Sequence, residues 1–399
     1  MNNNKAFILA INSGSSSIKF SLYQDDKSRR KLFYGKIDRI GIEDPELTFT
    51  SEKGIQKEVI KTSVSNHQSA GSFLIDFLEK QVDFSLISGI GHRIVFGMKH
   101  TNPQIVTKEL LNDLDSLSSF DMDHLPDEIK LIEIFLKRYP DMHQVACFDT
   151  AFHSSMPRVA QLLPIPRRFD SAGVHRYGFH GLSYAYLMEE LAHVAGKKAA
   201  KGKVILAHLG NGASMAAVQN NKSVDTTMGF TPAGGMIMGS RPGDLDPGVA
   251  WYMLESENLT PKQFNNLINH ESGLLGISET SSDMRDLLAK ESDDIRASEA
   301  VALFCYQAKK WLGAYAAALG GVDTLIFAGG IGENCPVVRS RICEGLEFLG
   351  IQIEKKQNMD NASVISTNNG KVTIRIIHTD EELMIAKTVN HILNHNIKD

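Results

Sequence analysis

Residues 8–23 read ILAINSGSSSIKFSLY, and this stretch is the strongest indication of the architecture. An apolar run ends at Asn12, a Gly/Ser turn follows, and apolar and polar residues alternate from Ile18 onward. Alternation with a period of two after such a turn predicts a β-hairpin. Its tip carries the hydroxyls of residues 15–17, backbone N–H groups and the nearby Lys19, which together can bind an anion. The alternative is an ordinary polar turn.

The second half of the chain repeats this pattern. Residues 205–218 read ILAHLGNGASMAAV, again an apolar strand, a small Gly-containing turn and a second strand. A further pair follows in the same order, with SLISGIGHRIV at 85–95 and TLIFAGGIGENCPVV at 324–338, each interpreted as an apolar strand that ends in Gly-Ile-Gly. Two halves with the same succession of motifs predict an α/β protein made of duplicated domains with a cleft between them.

Composition and charge limit the classes of function. The chain has 399 residues, of which 42% are hydrophobic and 22% charged, as is typical of a globular protein with two or three domains. A net charge of −5 gives no electrostatic basis for binding nucleic acid or an anionic membrane. An anionic substrate would therefore have to be bound by a few placed arginines.

The cysteines and the N-terminal sequence indicate the compartment. None of the four cysteines has CxxC spacing, so reduced, structural thiols in a reducing compartment are predicted. The N-terminal sequence MNNNKAFILAIN lacks the features of a signal peptide, and no apolar run reaches the length of a membrane span. We therefore expect a cytoplasmic protein.

Apolar periodicity outlines the remaining elements. In the first half, strands are predicted at 31–38, 56–63, 85–90 and 144–148, and helices at 66–81, 107–117 and 126–139. In the second half, the pattern predicts helices at 181–195, 295–319 and 336–347, a hairpin at 203–219 and a strand at 323–327. The proline-containing segment 156–181 separates the halves and is interpreted as a long, ordered connection.

The end of the chain has the signature of a capped helix. Thr379 precedes an apolar stripe at helical spacing, and Glu382 follows it three residues later. This spacing predicts a capping box in which Glu382 bonds the helix N-terminus. Glu381 would then be available for another role.

Several common catalytic and phosphate-binding motifs are absent from the sequence. There is no GxxxxGK[ST] P-loop, neither Gly-Ile-Gly extends to the GxGxxG of a dinucleotide site, and no GxSxG elbow occurs. The spacing of His175 and His180 matches no standard zinc site. A histidine in such a Gly-containing loop is better interpreted as a hydrogen-bond donor to an anion.

Three residues have positions expected of anion-binding or catalytic side chains. Arg93 follows the first Gly-Ile-Gly, and Arg241 lies in the Gly- and Pro-rich loop 229–248. The two arginines could form a bidentate clamp on phosphoryl or carboxylate oxygens, whereas a solvated structural arginine is the alternative for Arg93. Asp149 ends the strand at 144–148, where a carboxylate often binds a metal or acts as acid or base. An N-cap or turn aspartate is the alternative.

The motifs together resemble those of acetate kinases over essentially the whole chain. The matching segments, in chain order, are INSGSSSIK, GHRIV, FDTAFH, RYGFHG, HLGNGAS, MGFTP, GDLDPG, SSDMRD, GGIGEN and TDEE. That family is grouped with sugar kinases, actin and the heat-shock chaperone ATPases. The resemblance implies two duplicated ribonuclease-H-like (actin-like ATPase) domains with ATP in the interdomain cleft, and a homodimer. The N-terminal domain would be residues 1–150 completed by a C-terminal helix at 379–399, and the nucleotide-binding domain residues 151–378.

The resemblance also implies roles for individual residues. The catalytic carboxylate would be Asp149, the substrate and transition-state clamp Arg93 and Arg241, and the partner donor His180. The pocket for the acetate methyl group would be formed by Val95, Phe179 and Pro232, and Mg²⁺ (with Mn²⁺ as the alternative) would be held by Asn12 and Glu381. ATP, the co-substrate, would bind at Lys19, His208, Leu209, Gly210, Asn211, Gly212, Asp283, Met284, Arg285, Gly330, Ile331, Gly332, Glu333 and Asn334.

The chain departs from the family pattern at four places. Asp123 precedes His124 where the family has Leu, HGTSH is HGLSY with Leu182 and Tyr184, GHRVVHGG is GHRIVFGM, and TPLEG is TPAGG. These changes leave the phosphate-binding residues intact. They bear on the preference for the acyl chain.

The expected function is reversible phosphoryl transfer from ATP to acetate, which gives acetyl phosphate and ADP. Acetate is ionised at neutral pH, so its attacking oxygen needs no base, and Asp149 is expected to orient Mg²⁺ or its waters. A propionate or butyrate kinase is an alternative function. A non-catalytic nucleotide-binding module of the actin type is a third, which the full set of catalytic residues argues against.

Overall fold

The computed structural model describes residues 7–14, 16–26, 28–50, 58–118, 120 and 124–396. Ser15, Asp123, the first two residues of the strand predicted at 56–63 and the last three of the predicted C-terminal helix lie outside the described residues. The chain forms two compact units. Unit 1 runs to Ala151 and includes the segment from Asp380 onward, and unit 2 is Phe152–Thr379.

Strands and helices alternate along much of the chain. The strands are β1 (Phe7–Gly14), β2 (Ser17–Gln24), β3 (Lys31–Asp38), β4 (Glu46–Thr50), β5 (Glu58–Lys61), β6 (Ile87–Ile94), β7 (Gln104–Ile105), β8 (Gln144–Phe148), β9 (Lys203–Leu209), β10 (Ala213–Gln219), β11 (Lys222–Thr226), β12 (Thr324–Ala328) and β13 (Thr373–Ile376). The helices are α1 (His67–Gln81), α2 (Lys108–Ser116), α3 (Leu125–Arg138), α4 (Arg158–Gln161), α5 (Arg167–Ser171), α6 (Gly181–Ala200), α7 (Pro247–Glu255), α8 (Pro261–Asn266), α9 (Gly273–Ser278), α10 (Met284–Lys290), α11 (Ile295–Leu319), α12 (Gly329–Asn334), α13 (Pro336–Cys343), α14 (Lys355–Met359) and α15 (Glu381–Asn396).

The two sheets share one five-strand pattern. The sheet of unit 1 has the order β5-β4-β3-β2-β1-β6-β8-β7, and that of unit 2 has the order β11-β10-β9-β12-β13. In unit 1, β1 pairs antiparallel with β2 and parallel with β6, which in turn is parallel to β8. In unit 2, β9 pairs antiparallel with β10 and parallel with β12, which is parallel to β13. The duplicated α/β architecture predicted from the sequence is therefore confirmed.

The core of unit 1 lies between its sheet and the helices α1 and α3. Phe20 and Phe33 pack on Phe77 of α1, with ring centroids 6.3 Å and 5.9 Å from it. Leu131 and Phe135 of α3 belong to the same buried cluster. Burial of one phenylalanine side chain contributes about 1.5–3 kcal/mol, so these rings fix the helices on this face of the sheet.

The first Gly-Ile-Gly lies within β6, so its interpretation as a strand end was wrong. A Cβ at Gly91 would lie 2.4 Å from the side chain of Ile385 in α15, and one at Gly89 would lie 2.8 Å from Leu393. Glycine at both positions lets α15 pack closely on the strand. The second Gly-Ile-Gly lies in α12, directly after β12.

In unit 2, α6 packs against the sheet through Leu187 and Leu191, which cluster with Leu206 of β9. Helix α11 contacts β9, β10 and β11 and buries small residues such as Ala300 and Ala308. Small side chains let a long helix approach a sheet closely. None of the helices in the described part of the chain is long and apolar enough to cross a bilayer.

The capping box predicted for the last helix was wrong. The N-cap of α15 is Asp380, whose Oδ1 accepts the N–H of Leu383 at 2.9 Å. Asp380 also accepts hydrogen bonds from the Tyr23 hydroxyl (2.9 Å) and Lys31 Nζ (2.8 Å). Burial and the neighbouring Asp380 raise the pKa of Tyr23. The carboxylate of Glu382 is therefore not required for capping.

All four cysteines are free thiols, as predicted. Cys147, Cys305 and Cys343 are buried, and Cys335 is partly exposed. Burial raises the pKa of Cys305 and Cys343 to about 12, and it raises that of Cys147 as well. The three buried thiols are therefore protonated and unreactive near neutral pH.

His67, at the start of α1, links the tip of the β1–β2 hairpin to α3. Its Nε2 lies 2.8 Å from the carbonyl oxygen of Gly14, and its Nδ1 lies 3.0 Å from Asp127 Oδ2. Both partners are acceptors, so the imidazolium form satisfies both contacts. Burial alone would lower the pKa of His67, but Asp127 and the Gly14 carbonyl outweigh it, and the pKa is raised above 6.5.

We therefore expect His67 to stabilise the fold at low pH. Its contribution is fully present below the unfolded-state pKa of about 6.5 and is lost as the pH rises through the higher folded-state pKa. Urea unfolding should show a free energy of unfolding that falls as the pH rises above about 6.5, and a smaller fall in His67→Gln. His193→Gln, at a position 80% exposed on α6, is the control and should behave like wild type. Equal slopes for wild type and His67→Gln would contradict this expectation.

Candidate active site

Asn12 of β1 and the first two residues of α15 form an oxygen-rich cluster in unit 1. The Asn12 side chain is buried, and its Nδ2 donates to Glu381 Oε2 at 2.8 Å and to Glu382 Oε1 at 2.9 Å. Because the amide nitrogen binds both carboxylates, the amide oxygen is directed away from them. The structure thus joins Asn12 and Glu381, both predicted from the sequence, and adds Glu382.

Arg93 and Asp149 form a buried ion pair at the ends of two parallel strands. Arg93 Nη2 donates to Asp149 Oδ2 at 2.8 Å, and Nη1 donates to the carbonyl of Ser13 at 3.2 Å. The Asp149 side chain is fully buried, and that of Arg93 is 14% exposed. The backbone N–H of Asp149 donates to the carbonyl of Ile94 at 2.8 Å, which extends the β6–β8 ladder and fixes the carboxylate beside the arginine.

The surroundings of Arg93 are strongly negative. Burial by itself would lower the pKa of the guanidinium, but attraction by Asp149, Glu381 and Glu128 outweighs burial, and the pKa is raised. Arg93 is therefore charged at every accessible pH. Its Nε is buried and has no hydrogen-bond partner among the described residues, so the guanidinium keeps a donor for a further acceptor.

Glu128 was not predicted from the sequence, although it lies beside two predicted residues. It extends from α3 with its side chain buried, and its two carboxylate oxygens accept the N–H of Val95 at 3.1 Å and 3.3 Å. Val95, predicted as part of the methyl pocket, is itself buried. Glu128 therefore fixes the backbone two residues after Arg93.

Lys19 is exposed on β2, opposite Asn12 in the β1–β2 pairing. It lines a groove of about 700 Å³ together with Lys31, Lys36 and Glu382. Lys31 and Lys36 form ion pairs with Asp380 and Asp38, at 2.8 Å and 2.7 Å. The assignment of Lys19 to a nucleotide phosphate stays a prediction.

Unit 2 contains a cavity of about 580 Å³ at which three distant segments meet. The residues that line it are Gly210, Asn211, Ser282, Asp283, Met284, Arg285, Gly330, Ile331, Asn334 and Cys335. Eight of these ten belong to the segments that the sequence assigned to ATP. Ser282 and Cys335 directly flank those segments and were not predicted.

Close backbone approach shapes this cavity. A Cβ at Gly239 would lie 2.0 Å from Asn211 Oδ1, so a side chain at this position would displace that of Asn211. Gly329 has a φ of +77°, and a Cβ there would lie 2.7 Å from the carbonyl oxygen of Leu209. At the third segment, Asp283 caps α10 by accepting the N–H of Arg285 at 2.8 Å. The glycines therefore bring β9 and α12 to the same cavity wall.

Some predicted nucleotide residues do not line this cavity. Glu333 Oε1 accepts the backbone N–H groups of Gly329 at 2.9 Å and Thr379 at 3.2 Å, and its Oε2 lies 2.8 Å from His378 Nδ1. Leu209 and Gly332 are buried. Their roles stay predictions, and the structure gives the Glu333 carboxylate a place in the local backbone network.

His180 lies directly before α6 in a left-handed conformation, with φ 58°. Its Nδ1 lies 2.9 Å from Ser214 Oγ, and its ring stacks on that of His208 with centroids 4.2 Å apart. His208 Nδ1 in turn contacts Ser183 Oγ at 2.8 Å. The two predicted histidines are thus brought together, although nothing in their sequence separation indicated it.

The other predicted residues of unit 2 lie in rigid loops. Phe179 is buried, and its carbonyl accepts a hydrogen bond from His153 Nε2 at 3.0 Å. The carbonyl of Arg241 accepts the N–H of Met238 at 2.9 Å, and Pro232 is partly buried. These contacts order the backbone. The roles of the Phe179, Pro232 and Arg241 side chains stay predictions.

Comparison with known proteins gives one consistent answer. The profile of the acetokinase family matches residues 7–387. The chain is 42% identical to the acetate kinase of Rhodopseudomonas palustris over 388 residues, which are 96% of this chain and 97% of that protein.

Solved structures agree with this match. The crystal structure of Porphyromonas gingivalis acetate kinase has 36% identity and a TM-score of 0.86, and covers 97% of this chain and 100% of that one. A propionate kinase from Francisella tularensis has 33% identity and a TM-score of 0.89, and covers 96% and 98%. The chain therefore belongs to the acetokinase family.

Proposed function

We propose that this protein transfers the γ-phosphoryl group of ATP reversibly to acetate, which yields acetyl phosphate and ADP. The observation that carries the proposal is the buried Arg93–Asp149 pair, whose guanidinium has an Nε–H without a hydrogen-bond partner among the described residues. Such a group binds planar carboxylate or phosphoryl oxygens through parallel hydrogen bonds. Membership of the acetokinase family supports the choice of reaction.

In this proposal, catalysis consists of positioning and charge neutralisation. Arg93 and Arg241 bind the anionic oxygens of the acid and of the phosphoryl group in transfer, and His180 donates a further hydrogen bond. Asp149 is a positioning residue that fixes the Arg93 guanidinium. The acid attacks as a carboxylate, so no group has to remove a proton from it.

We propose that the cavity in unit 2 binds the nucleotide. Its size suits a nucleotide, because ligand sites commonly enclose about 300–1,000 Å³. The backbone N–H groups of the Gly210–Gly212 turn and of the α12 segment would meet the phosphates. Val95, Phe179 and Pro232 supply apolar contacts to the acyl group.

The residues around Asn12 fit a magnesium ion. The carboxylates of Glu381 and Glu382, which Asn12 Nδ2 holds side by side, are hard oxygen ligands, and Mg²⁺ commonly takes one or two carboxylates together with substrate phosphates. Direct binding of the ion by the amide oxygen of Asn12 stays a prediction. When bound, the ion would neutralise charge on the β- and γ-phosphate oxygens. Mn²⁺, which accepts the same ligands, is the alternative.

We therefore expect both glutamates to set the magnesium requirement. Glu381→Gln and Glu382→Gln should each raise the Mg²⁺ concentration for half-maximal activity by about tenfold or more. Asp380→Ala is the matched control, because Asp380 caps α15. It should lower the free energy of unfolding by about 0.5–2 kcal/mol and leave the Mg²⁺ requirement unchanged. Magnesium titrations of activity and urea unfolding of the three variants test this expectation. An unchanged Mg²⁺ requirement in both glutamate variants would contradict it.

We also propose roles for the two units, and a compartment, an oligomeric state and partners for the protein. Unit 1 acts as the N-terminal ribonuclease-H-like domain completed by the C-terminal helix, and unit 2 as the nucleotide-binding domain. The protein works as a cytoplasmic homodimer with small-molecule substrates only, and it has no nucleic-acid or membrane partner. The net charge of −5 supports the last point.

The test of the proposed function compares three acids. Acyl-hydroxamate formation with ATP and Mg²⁺ should give the highest kcat/KM for acetate, a lower one for propionate and the lowest for butyrate. One methylene in an apolar pocket changes discrimination by about 1–3 kcal/mol, so some activity on propionate is expected. A preference for propionate would favour the second candidate, a propionate kinase, in line with the similarity to the Francisella tularensis protein. If no hydroxamate formed with any of the three acids, both the acetate kinase and the propionate kinase proposals would be overturned.

A further inference from the structure

A chain of hydroxyl groups leads from the interior of unit 2 to His180. The Tyr184 hydroxyl lies 2.5 Å from Ser214 Oγ, and Ser214 Oγ lies 2.9 Å from His180 Nδ1. The side chains of Tyr184 and Ser214 are fully buried. Both hydroxyl groups are therefore shielded from bulk water.

The acidity of the two hydroxyls sets this direction. A tyrosine phenol, with a pKa of about 10, is a much better donor than a serine alcohol and a poorer acceptor. This difference favours donation from Tyr184 to Ser214 Oγ, which directs the single hydrogen of Ser214 at His180. With this direction of donation, His180 Nδ1 accepts and the ring proton is on Nε2.

Other contacts hold the His180 ring with Nε2 beside the turn at Gly212. A Cβ built on Gly212 would lie 3.3 Å from Nε2, so this nitrogen faces the turn whose Gly210 and Asn211 line the cavity. On one side the ring stacks on His208, with 23° between the planes. His208 is held by Ser183, whose hydroxyl lies 2.8 Å from that of Thr379. These contacts of His208, Ser183 and Thr379 orient the His180 ring, but they do not determine which of its nitrogens carries the proton.

We propose that Tyr184 is a positioning residue that acts through Ser214 to keep His180 as the Nε2–H tautomer. In this form the neutral imidazole presents an N–H to an anionic oxygen of the group in transfer, which is the role assigned to it above. The inference therefore rests on the proposed function. The family pattern HGTSH has His where this chain has Tyr184, the first member of the Tyr184–Ser214–His180 relay.

The tautomer can be read directly by ¹⁵N NMR of the histidine side chains. The protein has 14 histidines, and the His180 signals are assigned by their loss in His180→Asn. In the wild type, Nδ1 of His180 should show the shift of a nitrogen without a proton, and Nε2 that of a protonated one. In Tyr184→Phe and in Ser214→Ala, the two shifts should move towards each other as the second tautomer becomes populated. A wild-type Nδ1 that carries the proton would overturn the proposal.

Kinetics separate positioning from a structural role. Tyr184→Phe and Ser214→Ala should each lower kcat by about tenfold and change the KM for ATP and for acetate by less than about twofold, because the lost interaction acts in the transition state. Tyr186→Phe removes a hydroxyl from the same helix and should match wild type in kcat and in the His180 shifts. An unchanged kcat in both relay variants, or an equal loss in Tyr186→Phe, would overturn the proposal.

The two proposals fail in different ways. The NMR measurement needs no substrate, so a wild-type protein without acetate kinase activity would count against the proposed function alone. The His180 shifts would then still decide whether the relay sets the tautomer.

Discussion

Arg93→Lys should lower kcat/KM for acetate by about a hundredfold or more, although the positive charge is kept. The guanidinium makes two hydrogen bonds in unit 1, from Nη2 to Asp149 and from Nη1 to the carbonyl of Ser13, and its Nε remains as a further donor. A lysine ammonium is a compact group at the end of a flexible chain and cannot occupy these positions at once. We expect the same order of loss for Arg241→Lys, whose role is proposed by resemblance.

Arg138→Lys is the matched control for this experiment. Arg138 also binds a carboxylate through two nitrogens, to Glu79 at 2.7 Å and 2.6 Å, but its side chain is 51% exposed on α3. Its substitution should leave kcat/KM within about twofold of wild type, because exposed ion pairs contribute little. Near wild-type turnover in Arg93→Lys would show that Arg93 does not bind the reacting groups.

Asp149→Asn should combine a large loss of activity with a large loss of stability. The substitution keeps the shape of the side chain but leaves the Arg93 charge, at a side chain only 14% exposed, without its 2.8 Å partner. Breaking a buried ion pair in this way costs about 3–5 kcal/mol of unfolding free energy. The arginine also loses its fixed orientation, so kcat should fall by about a hundredfold or more.

Urea unfolding and steady-state kinetics of Asp149→Asn measure the two effects together. Asp113→Asn is the control, since Asp113 pairs with Lys99 at 2.8 Å on the surface, with its own side chain 43% exposed. We expect less than about 1 kcal/mol of destabilisation and no change in kcat for this control. If Asp149→Asn were as stable and as active as wild type, the ion pair would contribute neither to stability nor to catalysis.

Much of the architecture could be predicted because its signals are local. The hairpin predicted at 8–23 forms β1 and β2, and the helix predicted at 295–319 forms α11 with the same bounds. Alternation and helical spacing reflect which side chains a neighbouring surface will bury, so they can be read within a short window. The same local pattern recurs at 205–218, and this repeat predicted that the fold is duplicated.

The errors arise where a local signal has a distant cause. Gly89 and Gly91 suggested a turn, but they are glycines because α15, near the end of the chain, packs against them. Thr379 and Glu382 matched a capping box, whereas Asp380 is the cap and Glu382 accepts a hydrogen bond from Asn12. The partners of Gly91 and Glu382, which are Ile385 and Asn12, are more than 250 residues away and leave no trace in the local pattern.

The same limit explains which residues near the candidate site could not be predicted. Glu128 lies on a helix whose sequence gives it the appearance of an exposed first-turn residue, yet its carboxylate is buried at Val95. Ser214 and Tyr184 belong to elements with ordinary buried patterns, and only the fold brings them to His180. The departure from HGTSH at Tyr184 was the single available signal.

Phosphorus NMR of the reaction with labelled acetate tests directly whether this protein phosphorylates acetate. With ATP, Mg²⁺ and acetate carrying ¹⁸O in both carboxylate positions, the spectrum should show acetyl phosphate whose phosphorus bears one ¹⁸O, in the bridge to the acetyl group. ADP should form in equal amount, and both products should fall together in Arg93→Lys. Formation of ADP with unlabelled inorganic phosphate alone, or a rate that does not depend on acetate, would contradict the proposed function.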